Sequence, residues 1–304
     1  MLKSGLKVYH FTVVLLSLSM LLFAGCYKFK GSDTIPAYIS ISDIKLSTYY
    51  PEEGSDSEDI DDVWVYLDDG LLGVYEFPES DTIPLIFPVL ASGKHKLELR
   101  PGIKLNGISS TRVPYPFYQP IIFEEFDFIP ETTQELGELT TTYQSSTKFA
   151  WIEDFEDADI SIEDYGDTII ERTQPDNNPI AFITPTSRYS GEINITTEKP
   201  VYTGTTYNSF DVQNAGTIVI LEMNFKTENF LQVGLLIRDQ NSVPEKDLVI
   251  LNHTDEWKKI YINLGSNLSL YPQAIDYKVI FRAGLESGNS SAKILIDNVK
   301  IVYK

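Results

Sequence analysis

Val63-Trp64-Val65-Tyr66-Leu67, then Asp68-Asp69-Gly70, then Leu71 to Phe77 is the stretch on which the fold reading turns. β-Branched and aromatic residues run up to a short acidic turn and resume beyond it. That pattern predicts two antiparallel strands joined by a tight hairpin, with the Asp-Gly step supplying positive φ. The same rhythm recurs on both sides. Tyr38 to Leu46 alternates apolar and polar residues, the second half of Lys94-His95-Lys96-Leu97-Glu98-Leu99-Arg100 does so too, and Ile121 to Phe128 offers a further strand. A 3.6-residue apolar period is almost absent from the chain, so the class is all-β. These strands predict a small N-terminal β-sandwich over residues 36–130.

Residues 131–147 are rich in Thr, Glu and Gln, with little apolar content, and are expected to be a linker or an exposed crossing strand with the boundary near Ser145. Beyond it, residues 148–304 return to strand rhythm at 180–183, 191–196, 216–226, 230–238, 248–252, 257–264, 277–283 and 292–303. About eight such strands predict a C-terminal β-sandwich of jelly-roll type, in which two sheets bury alternate side chains against each other.

Val65-Tyr66-Leu67-Asp68-Asp69-Gly70, Pro84 and Leu90-Ala91-Ser92-Gly93-Lys94-His95-Lys96-Leu97 resemble PEGA-type β-domains, extracytoplasmic modules whose partners vary. The resemblance implies that His95 is a framework residue at a turn. In the second half, Glu153-Asp154-Phe155-Glu156, Glu256-Trp257-Lys258-Lys259-Ile260-Tyr261-Ile262-Asn263-Leu264 and Ile294-Leu295-Ile296-Asp297-Asn298-Val299-Lys300-Ile301 are similar in order to galactose-binding-like carbohydrate-binding modules. That likeness implies a structural calcium ion between Glu156 and Asp297, whose carboxylates are the hard oxygen ligands calcium prefers. No other cofactor is expected.

Sugar rings stack on aromatic faces, so Trp257, Tyr189, Tyr202, Tyr207 and Tyr271 are the candidate ligand-binding residues. A place in the core or over the ends of the sandwich is the competing reading for each. Tyr115-Pro116-Phe117-Tyr118-Gln119-Pro120 is a rigid aromatic loop that either packs on the neighbouring domain or meets a ligand. Glu52 to Asp62, crowded with acids, is expected to be a solvated loop.

The N-terminus carries its own message. Lys3 and Lys7 precede an apolar run from Phe11 to Phe23, then Ala24-Gly25 and the only cysteine, Cys26. About 13 apolar residues fit the ~7–15 of a secretory signal and fall short of the ~20 of a membrane span. Residues 1–25 are therefore expected to be a cleaved signal peptide. Leu22-Phe23-Ala24-Gly25-Cys26 resembles the bacterial lipobox, which implies lipidation of Cys26, a tether over residues 26–35 and anchoring on a membrane. Asp33-Thr34-Ile35, Asp81-Thr82-Ile83 and Asp167-Thr168-Ile169 look like O-glycosylation triplets of the Bacteroidota. The outer membrane of such a bacterium is the expected location, with periplasmic and surface-facing orientations both open.

The formal charge is −20, and loss of a leader holding two lysines and no acids takes it to −22. Such a charge repels nucleic acid, so no partner of that kind is expected. Beyond residue 26 the histidines are His95 and His253, far apart in sequence, and a catalytic triad or histidine-rich zinc site is disfavoured. The chain is expected to be no enzyme but an anchored lipoprotein that binds a glycan through its jelly roll. The alternative is a structural or assembly lipoprotein that docks on envelope proteins and has no sugar site.

Overall fold

In the first half of the computed structural model, which describes residues 35–80, 82–174, 180–212, 218–240 and 242–304, two small sheets face each other. β1 (Ala37–Ser47) lies at the centre of a three-stranded sheet, antiparallel to β4 (Leu85–Val89) and parallel to β8 (Thr133–Thr142). The facing sheet holds β2 (Asp62–Leu67), β3 (Gly70–Glu76), β5 (Gly93–Lys104), β6 (Arg112–Pro114) and β7 (Ile121–Phe128). Alternate residues such as Ile39, Ile41, Val63, Val65, Phe87, Leu97 and Leu99 point between the sheets and are buried there.

The β2–β3 hairpin forms where the sequence places it, with a shifted turn. Leu67 pairs with Gly70, so the two turn residues are Asp68 and Asp69, both with positive φ (47° and 66°). Aspartate tolerates this conformation, and here its side chain is used. The Asp68 carboxylate accepts the backbone N–H of Lys96 at 3.0 Å and meets His95 Nδ1 at 2.7 Å. His95 thus ties the hairpin to β5, a framework role.

Residues 131–147 are not a linker but carry β8. The low apolar content follows from its place at the edge of the sheet, where much of the strand stays exposed. The first half's own residues in its core end at Tyr143, and β9 (Lys148–Glu153) already belongs to the second half.

The second half is a jelly roll of two antiparallel sheets. One has the order β11 (Ile170–Arg172), β12 (Gly191–Thr196), β19 (Ser291–Tyr303), β14 (Val219–Thr227), β17 (Lys258–Asn263), with β9 beside the end of β19. The other runs β10 (Ile162–Asp164), β13 (Val201–Thr206), β18 (Asp276–Gly284), β15 (Leu231–Arg238), β16 (Glu245–Leu251). Ile193, Leu221, Met223, Ile260, Ile262, Ile294 and Ile296 from the first meet Tyr202, Leu231, Val233, Leu235, Val279 and Phe281 from the second in one buried cluster. Residues 180–183, expected as a strand, form none. They belong to a loop held by side-chain bonds: Ser190 Oγ accepts the Phe182 N–H at 2.9 Å, and Ser187 Oγ donates to the Phe182 carbonyl at 2.8 Å.

The outer face of the six-stranded sheet packs on the first half. Ile220, Tyr261 and Val302 are members of the first core, with Tyr115, Phe117, Tyr118 and Tyr143. The aromatic loop therefore serves packing between the halves. Beside these rings sits a buried polar group. Glu222 accepts hydrogen bonds from the hydroxyls of Tyr115 (2.5 Å) and Tyr143 (2.9 and 3.0 Å), and pairs with Lys259 Nζ at 3.2 Å. Burial alone would push the Glu222 carboxyl up, but the charges of Lys259 and Lys300 and the two phenols together hold it below its ordinary value.

The acidic run at 52–62 is a strap across this junction rather than a solvated loop. Ser57 Oγ donates to Asn224 Oδ1 at 2.8 Å, the Asp59 N–H to the Tyr261 hydroxyl at 3.0 Å, and Lys300 Nζ to the Ser55 carbonyl at 2.5 Å. Ser55 and Ser57 turn inward and are buried, while Asp56 between them faces solvent. At the edge of the same sheet, Leu105 bridges Tyr261 in parallel, and the Asn106 N–H donates to the Tyr261 carbonyl at 2.7 Å. The first half thereby covers an edge strand that would otherwise offer open backbone groups.

Candidate functional site

With one sheet of the jelly roll covered, the outer face of the five-stranded sheet is the broad surface left open. Side chains on β13, β15, β16 and β18 that alternate with the core set stand there. Thr203, Arg282, Gln232 and Ile250 lie in one row, each in register with the next. A groove of about 340 Å³ follows this row, lined also by Val201 and Phe230. Arg282 pairs with Glu245, and Lys278 Nζ lies 3.6 Å from Glu163. The cations on the face are thus matched by acids, and what the row presents is directional donors and acceptors over an apolar floor.

Two exposed tyrosines mark the β10–β13 side. Tyr165 is 60% exposed, with its N–H on the Thr203 carbonyl at 2.8 Å, and Tyr207 is 65% exposed, with its N–H on the Ser161 carbonyl at 2.8 Å. The hydrogen bond with Glu163 raises the Tyr165 phenol above its ordinary value, so Tyr165 stays neutral. Guanidinium, amide and hydroxyl groups beside two open phenol rings suit a flat, hydroxyl-rich ligand.

Of the five aromatic candidates, Tyr207 is the one on this face. Tyr202 is fully buried in the jelly-roll core, because its position on β13 alternates with outward-facing Thr203. Trp257 is half-buried: its Nε1 donates to the Ile180 carbonyl at 3.2 Å and its ring meets Phe182 edge-on at 5.5 Å. Tyr189 lies under the Arg172 guanidinium, 3.9 Å from its ring centre, and Tyr271 packs on the core while its carbonyl accepts from Tyr277 at 3.4 Å. Tyr165, Arg282 and Gln232 escaped the sequence reading. Gln232 and Arg282 were legible as outward positions of alternating strands, whereas β10 is three residues long and shows no period.

The calcium pair does not fit its ion. Glu156 Oε1 accepts the N–H groups of Arg188 (2.6 Å) and Tyr189 (2.8 Å). Asp297 accepts from Ser190 Oγ (2.7 Å), Ser187 Oγ (3.3 Å) and the Asn298 N–H (2.6 Å), and burial pushes its carboxyl well above the ordinary range. Both oxygens of Asp297 and one of Glu156 are taken up by donors, whereas calcium needs roughly six to eight oxygen ligands around it. Among the described residues no cluster of three His, Cys, Asp or Glu side chains is placed to hold a metal.

His253 meets Glu286 at 2.7 Å and tilts over Phe230, well apart from His95 in the other half. Thr168 of the third Asp-Thr-Ile triplet is buried, and its hydroxyl donates to the Asn194 carbonyl at 3.0 Å, so the fold does not present it for a glycan; Thr82 is exposed. Cys26, the expected signal peptide over residues 1–25 and Thr34 lie outside the described residues.

No family model matches this chain, and no curated protein matches it. Solved structures do. The family 11 carbohydrate-binding module from Clostridium thermocellum, in complex with a β-1,3-1,4-mixed-linked tetrasaccharide, is 17% identical over 51% of this chain and 94% of that one, with a TM-score of 0.35. The xylan-binding domain of family 22 is 10% identical over 52% and 96%, with a TM-score of 0.36. A family 29 module variant complexed with mannohexaose is 11% identical over 51% and 92%, with a TM-score of 0.34.

Proposed function

We propose that this chain is a non-catalytic glycan-binding lipoprotein, held on the outer membrane by a lipid on Cys26, whose sugar site is the open face of the five-stranded sheet. The observation that carries this reading is the unequal treatment of the two sheets. One outer face is covered by the first half of the chain; the other keeps the Thr203–Arg282–Gln232 row and the exposed rings of Tyr165 and Tyr207. Polar side chains there cost little in water and gain directional bonds to sugar hydroxyls, while a pyranose C–H face covers the phenol rings.

Affinity electrophoresis of the full chain through gels cast with plant, fungal and bacterial polysaccharides tests it. Retention in at least one gel is expected, lost in Tyr207→Ala and Arg282→Ala and kept in Trp257→Ala. Retention that disappears only with Trp257→Ala would move the site away from this face. The anchor has its own test: Cys26→Ser is expected to release the protein from the membrane fraction.

A further inference from the structure

The strands of the first half run between two different ends. β1, β5 and β8 all start at one end and finish at the other, where the strap, the Leu105–Asn106 turn and Tyr143 meet the jelly roll. The starting end is where the chain enters the fold, and it exposes large apolar side chains. Ile35 is 41% exposed, Tyr38 38%, Leu90 61% and Ile129 50%. The pairing of the backbone brings them together. Ala37 is in register with Val89, next to Leu90, and the Tyr38 N–H donates to the Thr132 carbonyl in the turn that Ile129 opens.

We propose that this tip rests in the interfacial layer of the lipid bilayer that holds the Cys26 lipid, so that the first half stands as a post between membrane and jelly roll. The inference rests on the anchor reading above. Eight residues lie between Cys26 and Ile35, and the nine Cα–Cα steps, at ~3.6 Å each, reach at most about 32 Å, which keeps this end of the molecule within that distance of the bilayer. Aliphatic side chains around the chain entry gain free energy from leaving water there, and Tyr38 suits a layer that is wet on one side. The charges at the same end are mostly paired, Asp68 with His95, Asp69 with Lys96 and Lys94 with Glu125, so the matching surface is zwitterionic. β1 is 11 residues long, which sets the jelly roll about 35 Å above the tip.

With Cys26 acylated, an introduced cysteine is the one free thiol of the chain. The full-length lipidated protein carrying Leu90→Cys, Ile129→Cys or Asn289→Cys, labelled with an environment-sensitive nitrobenzoxadiazole, is mixed with phosphatidylcholine vesicles. Asn289 lies exposed in a turn of the jelly roll and serves as reference. All three are expected to float with the vesicles, with emission at 90 and 129 shifted to the blue and quenched severalfold more than at 289 by headgroup-level nitroxide lipid. Proteins that float while 90 and 129 stay as aqueous as 289 overturn the post and spare the anchor. A blue shift without lipid quenching assigns the tip to another protein surface and overturns it too. Failure to float defeats the anchor reading and this proposal together.

Discussion

Lys300 sits at the centre of the junction, and its chemistry is unusual for a lysine. Burial pulls its ammonium down from 10.5 to about 7, with the charge of Glu222 opposing that shift. Between those two values the unfolded chain holds a proton that the folded chain lacks, so stability rises with pH across the window. Lys300→Met is expected to flatten that rise, measured as the urea midpoint between pH 7 and pH 10. Glu222→Ala leaves the Lys259 ammonium without its counter-charge and two phenols without their acceptor, and is expected to cost about 3–5 kcal/mol in the same assay. For Asp297, already satisfied by Ser187 and Ser190, chelator is expected to leave the thermal midpoint unchanged. None of this was legible in sequence. Glu222 reads as one of 44 acidic residues, and nothing local reveals that its strand face is covered by another part of the chain.

Elements were legible where alternation is long and illegible where it is short. β12, β14, β15, β17, β18 and β19 fall on predicted segments, because six or more residues alternate against a deep core. β10 and β11, three residues each, carry no period, and β13 mixes Gly204 and threonines whose burial depends on neighbours. β8 was expected as a linker or a crossing strand because an edge strand needs few apolar residues. At the hairpin the composition was right and the position off by one residue, which moves positive φ from glycine to Asp69. Asp69→Gly is therefore expected to stabilise the chain by about 0.5–1 kcal/mol, its exposed pairing with Lys96 contributing little. Gly102 is the opposite case: a Cβ there would lie 1.8 Å from Asp62 Oδ1. Gly102→Ala is expected to destabilise by about 1–3 kcal/mol in urea titration.

At the scale of the molecule, two units with one shared core should unfold together, because Ile220, Tyr261 and Val302 belong to the first core while their strands build the second. A single calorimetric transition is expected for the wild type. Two sandwiches were readable from strand rhythm, but their docking was not, since it depends on which outer face is apolar after both sheets have formed. That docking decides the function proposed here, by leaving one face to the ligand. Hydrogen exchange on the full chain, with and without a polysaccharide that retains it, tests the claim directly. Slowed exchange is predicted at 163–165, 203–207, 230–236 and 278–284, with none at 180–190 or 257–263; protection confined to those last two segments would contradict it.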